Sequence, residues 1–150
     1  MACRAKTQEA ASAAMRLQNR AKELAIDSRV HWLGETREIH ALLGAADVVA
    51  LPSTDLYAKM DYPLVLLEAM CMARPVLVAT GTPAAELAEG GGAIALDARA
   101  DTIAAKLDEL LAKAELCART GDAARKSVLT RYSADRMASA YESLYDRMLA

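Results

Sequence analysis

The chain has 150 residues, one domain's worth, and can bury roughly 68–70 % of its unfolded surface without a disulfide or metal staple. A net charge of −2 and a pI near 5.7 give no support for nucleic-acid or acidic-membrane binding through bulk charge. Cys3, Cys71 and Cys117 are odd in number and lack metal-type spacing, no apolar run approaches the ~18 residues of a membrane span, and MACRAKTQEAASAAM has no signal-peptide core; the chain reads as cytoplasmic, with free thiols and at most peripheral membrane contact.

Taken in order, Thr7 to Ala25 predicts a helix, capped by Thr7 and rich in Ala with Arg16, Arg20, Lys22 and Glu23. Val30 to Leu33 (VHWL), ended by Gly34, predicts a strand. Ile39 to Ala46 predicts a short helix with Leu42 and Leu43 on one side, and Val48 to Leu51 a second strand, stopped by Pro52. After the loop PSTDLYAKMD comes DYPLVLLEAMCM, Asp61 to Met72. Pro75 opens a third strand, Val76 to Ala79, followed by turn material at Thr80 to Pro83 and one helical turn at Ala84 to Ala88. Gly90 to Gly92 predict a tight turn into a fourth strand, Ala93 to Leu96. Asp101 is placed to cap a helix to about Ala112, with Ile103, Leu107, Leu110 and Leu111 at helical spacing. A further helical stretch reaches Tyr132, with Gly121 read as a break. Ser133 is read as the cap of a last helix whose apolar stripe (Met137, Tyr141, Leu144, Tyr145, Met148) is assigned to the core, with an exposed partner face as the alternative.

The stretch from Pro63 to Met72 is apolar throughout except at Glu68. A helix apolar on all sides is a buried helix, and a lone carboxylate inside it costs several kcal/mol to desolvate without a partner. Glu68 therefore either pairs, with Arg74 as the nearby candidate, or faces an opening for a ligand. Pro63 suits the first helical turn, which leaves the amides of Leu64 and Val65 pointing out of a helix end that attracts anions. The rise from Leu64 to Glu68 is ~6 Å. Phosphate at the tip and a sugar hydroxyl at Glu68 would then be spaced as they are in a nucleotide.

Four short, continuously apolar strands separated by helices predict an α/β fold, a doubly wound parallel sheet with C-terminal helices. Ligands in such sheets sit at the carboxyl ends of the strands, here the loops Gly34 to Glu38, Pro52 to Tyr62, Thr80 to Pro83 and the segment after Leu96.

The series DSRVHWLGE, LLGAADVVALPS, YPLVLLEAMCMARPVLVA, GGGAIALD and RYSADRMASAYESLYDRML, in this order, resembles the C-terminal nucleotide-binding domain of GT-B glycosyltransferases, and most of all the GT4-type glycosyl transferases group 1. The resemblance covers about Leu17 to Leu149. It implies a single domain, the Rossmann-like half of a GT-B fold, incomplete at the N-terminus and lacking the acceptor-binding domain. It implies metal-independent, retaining transfer from a UDP- or GDP-linked sugar, with no cofactor beyond that nucleotide-sugar. By residue, it places Glu68 on the ribose hydroxyls and the amides of Leu64 and Val65 on the diphosphate. Leu33, Gly34 and Glu35 would lie along the base, with Trp32, and Ser53 near the phosphates. The family's first acid, eight positions before the ribose Glu, and the Gly beside the helix are replaced here by Met60 and Pro63. Asp61 is the substitute candidate for donor-sugar contact, with a helix cap as its other reading. Glu86 falls near a further family acid. The isolated chain is expected to show little or no transfer. The alternative is a non-catalytic nucleotide- or partner-binding half subunit that needs a second chain. His31 and His40 are too few for a metal site. Strands ending in Gly34, Pro52 and Thr80 argue against a phospho-receiver.

Overall fold

The computed structural model describes residues 7–54 and 63–149. Two compact units form along the chain, Met1–Ile39 and His40–Ala150. In the first, helix α1 spans Gln8–Glu23. Thr7 caps it as predicted, its Oγ1 accepting the Ala10 amide at 3.1 Å and satisfying one of the donors left open at a helix start. A 3₁₀ turn, Asp27–Arg29, follows. The predicted strand at Val30 to Leu33 does not form. Val30 is extended and the side chains alternate between half-buried and exposed, yet none of these residues pairs in the sheet. Residues that favour strands become one only where a neighbour supplies the ladder.

The second unit contains helix α2 (Ile39–Ala45, whose first residue ends the first unit), strand β1 (Val49–Leu51), α3 (Leu64–Cys71), β2 (Val76–Ala79), β3 (Ile94–Leu96), α4 (Ala100–Ala112), α5 (Ala114–Arg131) and α6 (Ala134–Leu149). The three strands form one parallel sheet in the order β1-β2-β3, with Val49 beside Val76 and Leu77 beside Ile94. β2 is central and all four of its residues are buried, which explains its unbroken apolar sequence. Leu77 and Leu96 pack with Leu110 of α4, and Ile103, Leu107 and Leu116 close around them. The carboxyl ends of β2 and β3 are held together. The Thr80 amide donates to the Leu96 carbonyl at 2.9 Å, and the Thr80 hydroxyl donates to Asp97 Oδ1 at 3.0 Å.

Helix α3 packs against β2 and α5. Gly121 does not break α5; the helix runs through it. A Cβ there would collide with the carbonyl of Ala73, so the residue serves close helix-to-turn approach rather than termination. Between β2 and β3 runs a 3₁₀ segment, Pro83–Gly91, kinked at Glu89 and at Gly90, whose φ is +73°. The end of α5 is fastened to this kink. Arg131 Nη1 donates to the Glu89 carbonyl, Nη2 lies 3.3 Å from the Glu89 carboxylate, and the guanidinium stacks 5.7 Å from the centre of the Tyr132 ring.

Two helix starts differ in outcome. Asp101 is not the cap of α4 but sits in its first turn, where Oδ1 accepts the Thr102 amide at 2.9 Å and the carboxylate chelates Arg99. Ser133 does serve α6, accepting the Arg136 amide at 3.2 Å. The stripe on α6 is not core. Met137, Tyr141, Leu144, Tyr145 and Met148 are all exposed, and no residue of α6 is buried. The amphipathic pattern was real, but none of the described residues covers it. Among the described residues no helix is long and apolar enough to cross a membrane.

Candidate functional site

In a parallel sheet whose strands are joined by helices, each helix starts near the carboxyl end of the strand before it. α3 starts there, after β1, and its first turn is chemically bare. Pro63 is its N-cap, one position earlier than a first-turn proline, with φ −66° and ψ 108°, and its side chain accepts no hydrogen bond. The Pro63 carbonyl takes the Leu66 amide at 2.9 Å. The amides of Leu64 and Val65 receive no side-chain cap, no acidic side chain lies in the first turn, and the Leu64 side chain is 61 % exposed. Among the described residues this helix start has no side-chain cap and no carboxylate in its first turn, which suits an anion.

One turn further on, Glu68 stands among buried neighbours: Leu66, Ala69 and Met70 are all essentially inaccessible. The Glu68 side chain itself is 40 % exposed. The sealed, arginine-locked alternative is therefore overturned. Arg74 turns away and donates from Nη2 to the Gly44 carbonyl at 2.6 Å. The partner of Glu68 is His40 of α2, whose Nε2 lies 3.8 Å from Glu68 Oε2. Sequence reading weighed His40 only as a metal ligand. Its contact spans two separate helices, and no local periodicity announces it. Among the described residues no group of three or more His, Cys, Asp or Glu side chains gathers to hold a metal.

The structure thus brings Leu64, Val65 and Glu68 together on one helix, and adds His40. Ser53 lies half-buried just past β1. Leu33, Gly34 and Glu35 belong to the first unit. There Gly34 adopts φ +62°, a conformation that favours glycine, and Leu33 and Glu35 are exposed. Asp61 and Met60 lie outside the described residues. Glu86 is exposed, in the first turn of the 3₁₀ segment. A cavity of about 270 Å³ does exist, but it lies at the opposite ends of the strands, between Asp47, Arg74, Leu110, Ala114 and Cys117, and shares no residue with the start of α3.

The family model described as glycosyl transferases group 1 matches residues 12–127. The chain is 32 % identical over 126 residues to N-acetyl-alpha-D-glucosaminyl L-malate synthase of Bacillus anthracis, a match covering 83 % of this chain and 32 % of that protein. Its fold is similar to HepE of Anabaena in complex with UDP and glucose, with TM-score 0.83, 23 % identity, and coverage of 97 % of this chain and 39 % of that one. It is also similar to sucrose-phosphate synthase of Thermosynechococcus elongatus, with TM-score 0.78, 18 % identity, and coverage of 98 % and 37 %. The chain spans about a third of the length of the curated relative. Sequence order, sheet topology and family model agree: the chain belongs to the glycosyl transferases group 1, and its α/β sheet is the Rossmann-like half of a GT-B glycosyltransferase.

Proposed function

We propose that this chain is the C-terminal, donor-nucleotide-binding part of a GT4-type glycosyltransferase that uses a UDP- or GDP-linked sugar. The observation that carries the reading is Glu68, an accessible carboxylate one turn inside an otherwise apolar helix with an uncapped start. In this reading Glu68 accepts hydrogen bonds from the ribose hydroxyls, and the Leu64 and Val65 amides meet the diphosphate. Ser53 is assigned to the phosphates, and Leu33, Gly34 and Glu35 to the base, on the family resemblance. Asp61 contacts the donor sugar in place of the family's first acid. The HepE structure in complex with UDP and glucose supports the choice of ligand. Retention of configuration and independence of metal are proposed on the family resemblance.

Titration of UDP, GDP and ADP into the chain and into Glu68→Ala tests this. At least one nucleoside diphosphate binds, and the variant weakens it about ten-fold or more, the scale of a charge-assisted hydrogen bond. Absence of binding by all three, or equal binding by the variant, refutes it. A second reading, a half subunit that binds nucleotide without catalysing transfer, is favoured by Met60 where the family carries an acid. The two readings part on one assay. Sugar transfer measured with the remainder of the GT-B fold supplied in trans supports the first, and nucleotide binding without transfer supports the second.

A further inference from the structure

Glu68 carries the proposed ribose contact, yet α3 gives it nothing to hold it still. Its side chain has three rotatable bonds, it is 40 % exposed, and its neighbours Leu64, Val65, Leu67, Ala69 and Cys71 offer no strong side-chain donor. A carboxylate that must take two vicinal hydroxyls at once benefits from a fixed plane, because freezing a free side chain on binding weakens affinity. α2 supplies the group that can fix it. His40 Nε2 lies 3.8 Å from Oε2, the nearer carboxylate oxygen.

The placement of His40 is itself secured. Leu43, on the same helix, is buried, and the Gly44 carbonyl at the end of α2 receives the Arg74 guanidinium from the turn beyond α3. α2 therefore meets α3 and the turn after it at two places: His40 Nε2 comes within 3.8 Å of Glu68, longer than a hydrogen bond, and Arg74 donates to the Gly44 carbonyl. The second contact sets the register in which the first can form.

Resting on the nucleotide reading above, we infer that His40 is a positioning residue that orients the Glu68 carboxylate toward the ribose, and so sets the preference of the site for ribonucleotides over 2′-deoxyribonucleotides. His40 need not touch the nucleotide. Its effect passes through Glu68, and it should therefore vanish when Glu68 is absent.

The test measures affinity for UDP and 2′-deoxy-UDP in the unaltered chain, His40→Ala, His40→Gln, Glu68→Ala and the double variant His40→Ala/Glu68→Ala. Where GDP is the nucleotide that binds, GDP and 2′-deoxy-GDP replace them. The unaltered chain prefers the ribonucleotide, by about ten-fold if one charge-assisted hydrogen bond is at stake. His40→Ala cuts that preference to about three-fold or less, and His40→Gln, which keeps a donor, restores most of it. In the double variant the His40 change adds nothing to Glu68→Ala, as expected of two residues acting as a unit. A merely structural role would weaken both nucleotides alike and leave their ratio untouched; that result overturns the inference, as does additivity in the double variant. Binding that depends on Glu68 but not on His40 overturns the inference alone. Failure of the unaltered chain to bind any nucleoside diphosphate overturns the nucleotide reading and the inference with it.

Discussion

At the scale of single residues, the two that matter most carry opposite lessons about space. Glu68 needs access to a ligand, and its side chain is 40 % exposed. Gly121 needs the absence of a side chain, because the Ala73 carbonyl occupies the place a Cβ would take. Gly121→Ala would gain about 1 kcal/mol in helix propensity. It would also force α5 away from a backbone carbonyl that cannot swing aside, an overpacking cost of about 1–3 kcal/mol or more. The clash wins, and the variant should melt several degrees lower at roughly 2–4 °C per kcal/mol. Differential scanning calorimetry checks it; an unchanged or raised melting temperature would show that α5 shifts freely. Glu68 was legible in the sequence because a lone acid in an apolar helix demands an explanation. Gly121 was misread because a glycine in a helix looks the same whether it ends the helix or admits a neighbour. The neighbour lies forty-eight residues away in sequence, and only the fold brings it close.

At the scale of elements, β2, α3 and α4 were readable because their apolar residues include the buried ones. Val76 to Ala79 is apolar without interruption and buried without interruption. Val30 to Leu33 carries a similar signal and fails to become a strand, since pairing is supplied from outside the segment. The last helix fails in the other sense. Its stripe has the period of a packed face, and the face is bare. Replacing Tyr145 by Ala, or Met137 and Met148 by Gln, should therefore change thermal stability by no more than about 0.5 kcal/mol, the range of surface substitutions. The same changes made at Leu77 or Leu110 should cost about 2–5 kcal/mol when truncated to Ala. Urea denaturation of the paired variants checks the contrast. A large loss on truncating the stripe of α6 would mean that it is covered in solution.

At the scale of the whole molecule, pH enters through exposed carboxylates. The Lys106 ammonium beside Glu109 holds its carboxyl below the usual range, and the Arg99 guanidinium, helped by the Thr102 amide, does the same for Asp101. Both groups have a folded-state pKa below the unfolded one. Their stabilisation is therefore present above the ordinary carboxylate range and is lost as pH falls through the lowered values. The Arg99 pair is exposed and the Lys106 pair partly so, which keeps the slope shallow. Denaturation midpoints should fall gently below about pH 4, and Asp101→Asn with Glu109→Gln should flatten that fall while leaving neutral stability nearly unchanged. Tyr132 shifts the other way, since burial raises its hydroxyl, so its contribution is lost as pH rises past the ordinary tyrosine range. The fastening of Arg131 to the Glu89 kink has a consequence for digestion by trypsin, whose pocket must swallow a free arginine side chain. Arg131 is engaged on its carbonyl and carboxylate partners, whereas Arg136 and Arg147 lie on a helix with no buried residue. A brief exposure to the protease should clip at 136 and 147 before 131, shaving the last helix from the body and leaving the sheet and α5 as one surviving core.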